Sequence, residues 1–103
     1  MVNNKNNQYE GKKYIVRCDR SGVFFGEIIN REGQEVKIRN VRRLWYWDGA
    51  CSLSELAQKG TQKPNTCKFT VTVGEIEVLD AIEIIECTND AIKSIEGVKE
   101  WKY

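Results

Sequence analysis

Apolar and polar positions alternate through most of the first half of the chain. This pattern predicts strands over residues 13–18, 23–29 and 35–40, separated by turns rich in Gly, Asn, Asp and Ser. Gly26 interrupts the second strand, which is typical of a bulge or of a close approach of two backbones. Residues 41–47 continue as a fourth extended segment. Both faces of that segment are aliphatic or aromatic, so we expect both to be covered.

Helix signals occur twice in the second half. Ser52 lies three residues before Glu55, which is the spacing of a capping box, and Gly60 is placed to end a helix of about two turns. Thr88 is a good N-cap for a second helix, which Gly97 would end. Alternation also predicts a strand over residues 68–73 that Gly74 breaks, and residues 75–87 favour strand, a turn at 79–80, and strand.

The N-terminal residues 1–11 are polar and predict a disordered tail, which leaves residues 12–103 as a single domain. The elements together predict a small α+β fold: a mostly antiparallel sheet of five to seven strands with two short helices. Trp101 and Tyr103 form an aromatic pair at the end of the chain. We expect this pair to dock back onto the domain or onto a neighbour.

The net charge of the 103 residues is only +1, which argues against a protein that coats nucleic acid. The charges are unevenly distributed, because residues 11–43 carry nine Lys or Arg against four acids, and residues 75–103 carry three Lys against eight acids. One end could attract an anion, the two ends could meet across subunits, or both could be solvated surfaces.

The chain lacks histidine, which excludes the usual catalytic triads, Cys-His dyads and Cys-His zinc sites. Its four cysteines lie far apart, and we expect them to be small buried hydrophobic residues of a reduced, cytoplasmic protein. The carboxylates of residues 75–86 alternate like the solvated face of a strand. We therefore expect no catalytic residue, metal site or cofactor. No apolar stretch is long enough to predict a signal peptide or a membrane span.

Residues 42–47 hold two arginines and two of the three tryptophans. Alternation places Arg43, Trp45 and Trp47 on one face of the predicted strand, and Arg42, Leu44 and Tyr46 on the other. Such residues can fill a core or an oligomer seam. They can also form a pocket in which a tryptophan stacks on a base and an arginine binds a phosphate.

A small nucleotide-like anion fits the pocket interpretation better than a polynucleotide, because it needs only one or two cations and stacking rings. Trp45 or Trp47 would stack on the base, and Arg42 or Arg43 would bind the phosphate. Asp48 and Ser54 are candidates for hydrogen bonds at the pocket rim. Two further phosphate candidates lie on neighbouring strands, Arg17 and Arg39.

The segment Arg42-Arg43-Leu44-Trp45-Tyr46-Trp47-Asp48-Gly49-Ala50, followed by residues 52–57, Gly60, Pro64 and Cys67-Lys68-Phe69, resembles a widespread family of small tailed-phage proteins. The likeness extends from about Tyr14 to Trp101, and its Trp-Tyr-Trp-Asp-Gly-Ala core is the specific part. The resemblance implies a phage-encoded protein that acts in the cytoplasm of the bacterial host. Small phage proteins of this kind often act in counter-defence, some of them as oligomeric sponges for cyclic dinucleotides or cyclic ADP-ribose isomers.

The leading hypothesis is therefore a non-enzymatic homo-oligomer that sequesters a small nucleotide immune signal and so blocks bacterial anti-phage defence. One alternative is a protein-interaction module that inhibits a host protein. Another is an enzyme that degrades a nucleotide with its carboxylates and a divalent ion.

Overall fold

The computed structural model describes residues 7–103. It confirms the predicted α+β class, a mostly antiparallel sheet with two short helices. The strands are β1 (Tyr14–Cys18), β2 (Val23–Glu32), β3 (Glu35–Tyr46), β4 (Lys68–Phe69), β5 (Val73–Val78) and β6 (Ala81–Glu86). The helices are α1 (Leu53–Lys59) and α2 (Asn89–Gly97), and 3-10 turns cover Asn7–Tyr9 and Pro64–Thr66.

All ladders between these strands are antiparallel, and the order across the sheet is β4-β3-β2-β1-β6. β5 pairs with β3 beside β4, so the long β3 has two partners along one edge. Only Leu79 and Asp80 separate β5 from β6, although these strands pair at opposite ends of the sheet. The sheet must therefore curl to bring its two ends together.

The curl explains why both faces of the strands are apolar. Val16 lies in a cluster on the inner side of the curl, whereas its neighbour Ile15 lies in a second cluster that includes both helices. Both side chains are fully buried. The inner cluster includes Tyr14, Phe24, Ile28, Val36, Ile38, Val41 and Val78, and the helix-side cluster includes Phe25, Leu44, Leu56, Phe69, Ala91 and Ile95.

Two strand predictions need correction. Residues 35–40 and 41–47 do not form separate strands, because a single strand runs through Asn40, whose φ of 49° is a conformation that Asn tolerates. The predicted strand 68–73 ends at Phe69, and Gly74 lies inside β5 rather than ending a strand. The physical reason is that one edge of β3 accepts both β4 and β5, so the chain must leave that edge between them.

The prediction for Gly26 is confirmed. The β2–β3 register shifts between Phe25 and Glu27, and a Cβ at Gly26 would lie 2.9 Å from the carbonyl oxygen of Arg39. A side chain at this position would therefore collide with the neighbouring strand.

Both predicted helix caps are also confirmed. The Ser52 hydroxyl accepts a hydrogen bond from the Glu55 amide at 3.1 Å, and the Thr88 hydroxyl accepts one from the Ala91 amide at 3.1 Å. Gly60 ends α1, and Gly97 is the last residue of α2. Within residues 7–103, no helix has the length and apolar character needed to cross a membrane.

The predicted polar tail falls partly outside the described residues, which begin at residue 7. Inside them, Tyr9 is only 8% exposed. Its ring meets the Tyr14 ring edge-on, with centroids 5.4 Å apart and an interplanar angle of 85°. The segment assigned to the tail therefore contributes one aromatic side chain to the inner core.

Asp80 ties the turn between β5 and β6 to the turn between β1 and β2. Its carboxylate accepts hydrogen bonds from the Arg20 amide (2.6 Å), the Ser21 amide (3.1 Å) and the Ser21 hydroxyl (2.6 Å). These bonds, led by the one from the Ser21 side chain, lower the pKa of Asp80 below its ordinary value of 3.8. The charged carboxylate is thus part of what closes the curled sheet.

We expect this contact to make stability depend on pH. A lowered folded-state pKa contributes stability above the ordinary value, and that contribution is lost as the pH falls through the lowered value. Asp80→Asn should therefore be less stable than the parent protein near neutral pH, and the difference should close below pH 3.8. Urea unfolding at several pH values measures this difference. Asp19→Asn is the matched control in the same turn, and a gap for Asp80→Asn that does not change with pH would contradict the prediction.

Candidate functional site

The side chains of residues 42–47 do not alternate between the two faces of β3 as the sequence predicts. Leu44 pairs with Phe69 and Tyr46 pairs with Lys68, so β3 has one extra residue at Trp45 relative to β4. Such a bulge re-aims the side chain that it carries. Trp45 is 60% exposed, whereas Trp47, just beyond the end of β3, is partly buried against the helix-side cluster. The prediction that both tryptophans share one face is wrong for this reason.

Trp45 stacks on Trp101 near the end of the chain. The ring centroids are 6.0 Å apart and the planes are nearly parallel, at 6°. The Trp101 amide donates to the Phe69 carbonyl oxygen at 2.8 Å, which holds the C-terminal segment beside β4. The expectation that Trp101 docks back onto the domain is confirmed, whereas Tyr103 is fully exposed.

A lysine completes this group of rings. The Lys68 ammonium lies 5.4 Å from the Trp101 ring centroid and 6.0 Å from that of Tyr46, within the range of a cation–π interaction. Tyr46 is 49% exposed and Trp101 is 45% exposed. We call Trp45, Tyr46, Lys68 and Trp101 the aromatic surface. Sequence reasoning gave neither Lys68 nor Trp101 a ligand role, because their proximity to Trp45 depends on how the C-terminal segment docks.

Arg42 is not available to a ligand in this structure. It is 5% exposed, and its guanidinium donates to carbonyl oxygens on β4, on α2 and on the residues that follow each of them. The acceptors are Thr70 (3.0 Å), Ile95 (2.9 Å), Val98 (3.0 Å) and Phe69 (3.1 Å). Burial lowers the pKa of Arg42 from its ordinary value. We therefore assign Arg42 a structural role in place of the predicted phosphate contact.

Arg43 points to the opposite side of β3, as alternation predicts. Its guanidinium carbon lies 4.5 Å from the centroid of the Phe24 ring, and one of its nitrogens donates to the Ser21 carbonyl oxygen. The side chain is half-buried near the turn between β1 and β2. Among residues 7–103, Arg43 forms no hydrogen bond or cation–π contact with the aromatic surface.

Arg17 and Arg39 are exposed but paired. Arg17 donates to Glu83 on β6 at 2.7 Å, and Arg39 donates to Glu27 on β2 at 3.3 Å. Such exposed pairs contribute about 0–1 kcal/mol, so a stronger anion could replace the carboxylate. Neither arginine lies in the aromatic surface as we define it. The structure therefore does not bring these two predicted phosphate candidates together with Trp45.

Strand pairing brings the basic and the acidic segments of the sequence together. The basic strands β1 and β3 lie beside the acidic strands β6 and β5, so Arg17 opposes Glu83 and Lys37 opposes Glu77. Lys37 also reaches Glu75 at 3.8 Å, and Lys12 reaches Glu86 at 3.6 Å. The two charged segments therefore meet within one chain, on the solvated faces of neighbouring strands.

The two residues predicted at the pocket rim, Asp48 and Ser54, lie in different surroundings. Asp48 accepts hydrogen bonds from the Thr66 hydroxyl at 3.0 Å and from the Gly49 amide at 2.8 Å. These bonds, with that of Thr66 the larger cause, lower the pKa of Asp48. Asp48 therefore joins the loop after β3 to the loop before β4. Ser54 is exposed in the first turn of α1.

All four cysteines are free. Cys18, Cys67 and Cys87 are buried as expected, and burial raises the pKa of the Cys87 thiol to about 12. Cys51 is exposed before α1, which differs from the expectation that all four lie in the core. A thiol with a raised pKa is a poor nucleophile at neutral pH.

A wide groove lies away from residues 42–47. It has a volume of about 720 Å³ and is bordered by β6, the β2–β3 turn and Tyr9. Two of its carboxylates are ion-paired, Glu83 with Arg17 and Glu86 with Lys12. None of the residues that the sequence nominates for ligand binding lines it. Size alone therefore does not make this groove the functional site.

The chain was compared with known proteins and families. No curated protein and no solved structure matches it. A family model described as a domain of unknown function, DUF6948, matches residues 11–95, which include all six strands and most of α2. The chain therefore belongs to the DUF6948 family.

Proposed function

We propose that the protein is a non-enzymatic binder of a small nucleotide-like anion, and that the aromatic surface is its binding site. The observation that carries this proposal is the exposed, nearly parallel stack of Trp45 on Trp101 with the Lys68 ammonium beside it. Large exposed aromatic side chains that converge with a cation are typical of binding sites.

The chemistry of the surface suits a planar anion. A base stacks on an exposed indole face, and base–aromatic stacking contributes about 1–3 kcal/mol per base. Lys68 supplies a positive charge close to both Trp101 and Tyr46, where the phosphate of a stacked nucleotide would lie. The Trp101 backbone is held by Phe69, so part of the ordering cost of binding is already met in the free protein.

We further infer that the ligand is a nucleotide immune signal of the cyclic dinucleotide or cyclic ADP-ribose type. In this proposal a phage-encoded homo-oligomer sequesters the signal in the host cytoplasm. The resemblance of residues 42–50 to tailed-phage proteins supports it. Sequestration requires no catalytic group.

The proposal is tested by calorimetric titration of the protein with a panel of mono-, di- and cyclic nucleotides. At least one should bind, and Trp101→Ala should weaken that binding by about 5- to 100-fold, the range that loss of one stacking contact gives. Tyr103→Ala is the matched control, because it removes an exposed aromatic ring two residues away. No binding to any nucleotide, or equal losses in both variants, would contradict the proposal.

A second measurement separates sequestration from degradation. After the protein–ligand complex is heated to unfold the protein, chromatography should recover the nucleotide intact and in the amount bound. Turnover that a chelator abolishes would instead support the enzyme hypothesis.

Protein binding is the second candidate function, and the same surface favours it. Tryptophan and tyrosine are enriched at the energetic centres of protein interfaces, and three exposed aromatic rings lie together here. If this candidate is correct, one purified host protein should bind with defined stoichiometry, Trp45→Ala should abolish that binding, and nucleotides should not compete.

A further inference from the structure

A second candidate site lies at the end of the curled sheet, where the β1–β2 turn meets the β5–β6 turn. The structure has a pocket of about 420 Å³ at this place, within the size range of small-molecule sites. We call it the turn pocket. The residues that matter for its chemistry are two arginines and four apolar side chains: Arg20, Arg43, Phe24, Ile76, Val78 and Leu79.

The apolar side chains give the pocket a floor and a rim. Phe24 and Val78 are buried in the inner cluster, and Ile76 packs against that cluster. Leu79 is 66% exposed in the β5–β6 turn, so its apolar side chain is accessible to a ligand. A ligand that covered Leu79 and the exposed part of Ile76 would remove apolar surface from water, which stabilises a complex.

The guanidinium groups of Arg20 and Arg43 have hydrogen-bond donors that no described residue uses. Arg43 uses one nitrogen for the Ser21 carbonyl oxygen, and no other hydrogen bond from its side chain occurs among residues 7–103. The Arg20 side chain has no hydrogen-bond or ion-pair partner within that same range. Guanidinium donors are well suited to the oxygens of a carboxylate, sulfonate or phosphate.

Two acidic residues, Asp80 and Glu77, also border the pocket, and each faces groups other than the two guanidinium groups. Asp80 uses both carboxylate oxygens for the amides of Arg20 and Ser21 and for the Ser21 hydroxyl. Glu77 lies directly opposite Lys37 in the β3–β5 ladder. Neither carboxylate forms an ion pair with Arg20 or Arg43. The bonds to Asp80 also hold the backbone of the turn that carries Arg20.

We propose that the turn pocket binds a small amphipathic anion. Arg20 and Arg43 bind its single phosphate, sulfonate or carboxylate group, and its aromatic or aliphatic body lies against Leu79 and Ile76. This site is separate from the aromatic surface, so the proposal does not depend on the proposed function. It also gives Arg43, which the sequence nominates as an anion ligand, a ligand of a different kind.

Phenyl phosphate is a suitable probe, because it joins one anionic group to one apolar ring. In a titration of ¹⁵N-labelled protein followed by NMR, it should shift the amide signals of Ser21, Phe24 and Val78. Inorganic phosphate has only the anionic group and phenol has only the ring, so each should bind at least about 10-fold more weakly than phenyl phosphate. No shift at about 10 mM phenyl phosphate, or equal binding of inorganic phosphate, would overturn the proposal.

Variants then locate the site. Arg20→Gln removes a side chain without a partner among residues 7–103, so the fold should be retained and the affinity for phenyl phosphate should fall about 10-fold. Leu79→Ser should weaken binding without changing the response to inorganic phosphate. Lys93→Gln, an exposed charge change on α2, is the control and should have no effect. Unchanged affinity in Arg20→Gln, or shifts confined to the aromatic surface around Trp45 and Trp101, would overturn the assignment.

Discussion

Replacing Arg42 with methionine is expected to lower the free energy of unfolding by about 3–5 kcal/mol. The change removes a donor from four carbonyl oxygens, those of Phe69, Thr70, Ile95 and Val98. Phe69 and Ile95 keep the amides of Trp101 and Val98 as donors, so the carbonyls of Thr70 and Val98 lose most. An unsatisfied buried acceptor costs about 1–3 kcal/mol, and rearrangement or entry of water recovers part of that sum. Urea unfolding followed by circular dichroism measures the effect.

Two further variants test the reason for this loss. Arg39→Met removes an exposed arginine from the same strand and should cost about 0–1 kcal/mol. Arg42→Lys keeps the charge but cannot reproduce the planar fork of donors, so its stability should fall between those of the parent and Arg42→Met. If Arg42→Met were as stable as Arg39→Met, the four carbonyl contacts would not contribute as we argue.

The Arg42 prediction has a local consequence. The Phe69 carbonyl oxygen accepts from both Arg42 and the Trp101 amide, at 3.1 Å and 2.8 Å. Loss of Arg42 should therefore loosen the segment that carries Trp101. Stacked indoles give an exciton signal in circular dichroism, and this signal should weaken in Arg42→Met before global unfolding begins.

Gly60→Ala is the second change with a large expected effect, about 2–4 kcal/mol of destabilisation. Gly60 ends α1 with a φ of 76°, which strains any residue that has a Cβ. A Cβ there would also lie 2.3 Å from the Cβ of Ser94 on α2. Thermal or urea unfolding measures the loss, and the contact between α1 and α2 is the region expected to yield first.

The control for Gly60 is Gly97→Ala, because no atom lies within 4 Å of a Cβ built at Gly97. This change should alter stability by less than about 1 kcal/mol. Ser94→Gly removes the clash but also the acceptor of the Thr61 amide, so the double variant is compared with both single variants. It should be less destabilised than the sum of the two single losses, and strictly additive losses would assign the effect of Gly60→Ala to the backbone conformation.

Much of the fold can be predicted because its signals are local. Ser52, Gly60 and Thr88 have cap positions that depend on a few neighbouring residues, and all three are found where the sequence places them. The division of residues 75–87 into two strands around Asp80 follows from short-range alternation in the same way. Gly26 is predicted because a glycine inside an apolar strand is typical of a place where a neighbouring backbone comes close.

The site is less predictable because it depends on which distant segments meet. Alternation along β3 fails at Trp45, because the bulge there arises from pairing with β4 and not from the local sequence of residues 42–47. Arg42 has the sequence context of an anion ligand, yet the docking of α2 and β4 around it uses its donors for backbone carbonyls. A local pattern contains no information on such contacts, which join residues more than twenty positions apart.

The sequence by itself determined the α+β class, the two capped helices, the chain's lack of histidine and the concentration of aromatic and basic residues near position 45. Only the tertiary structure decided that Trp45 meets Trp101, that Arg42 is buried against α2 while Arg43 lies over Phe24, and that the basic strands lie beside the acidic ones. The physical reason is the distance along the chain over which each kind of interaction acts. Hydrophobic periodicity and caps act over a few residues, whereas stacking, buried hydrogen bonds and cross-strand ion pairs exist only after the sheet has curled and the C-terminal segment has docked.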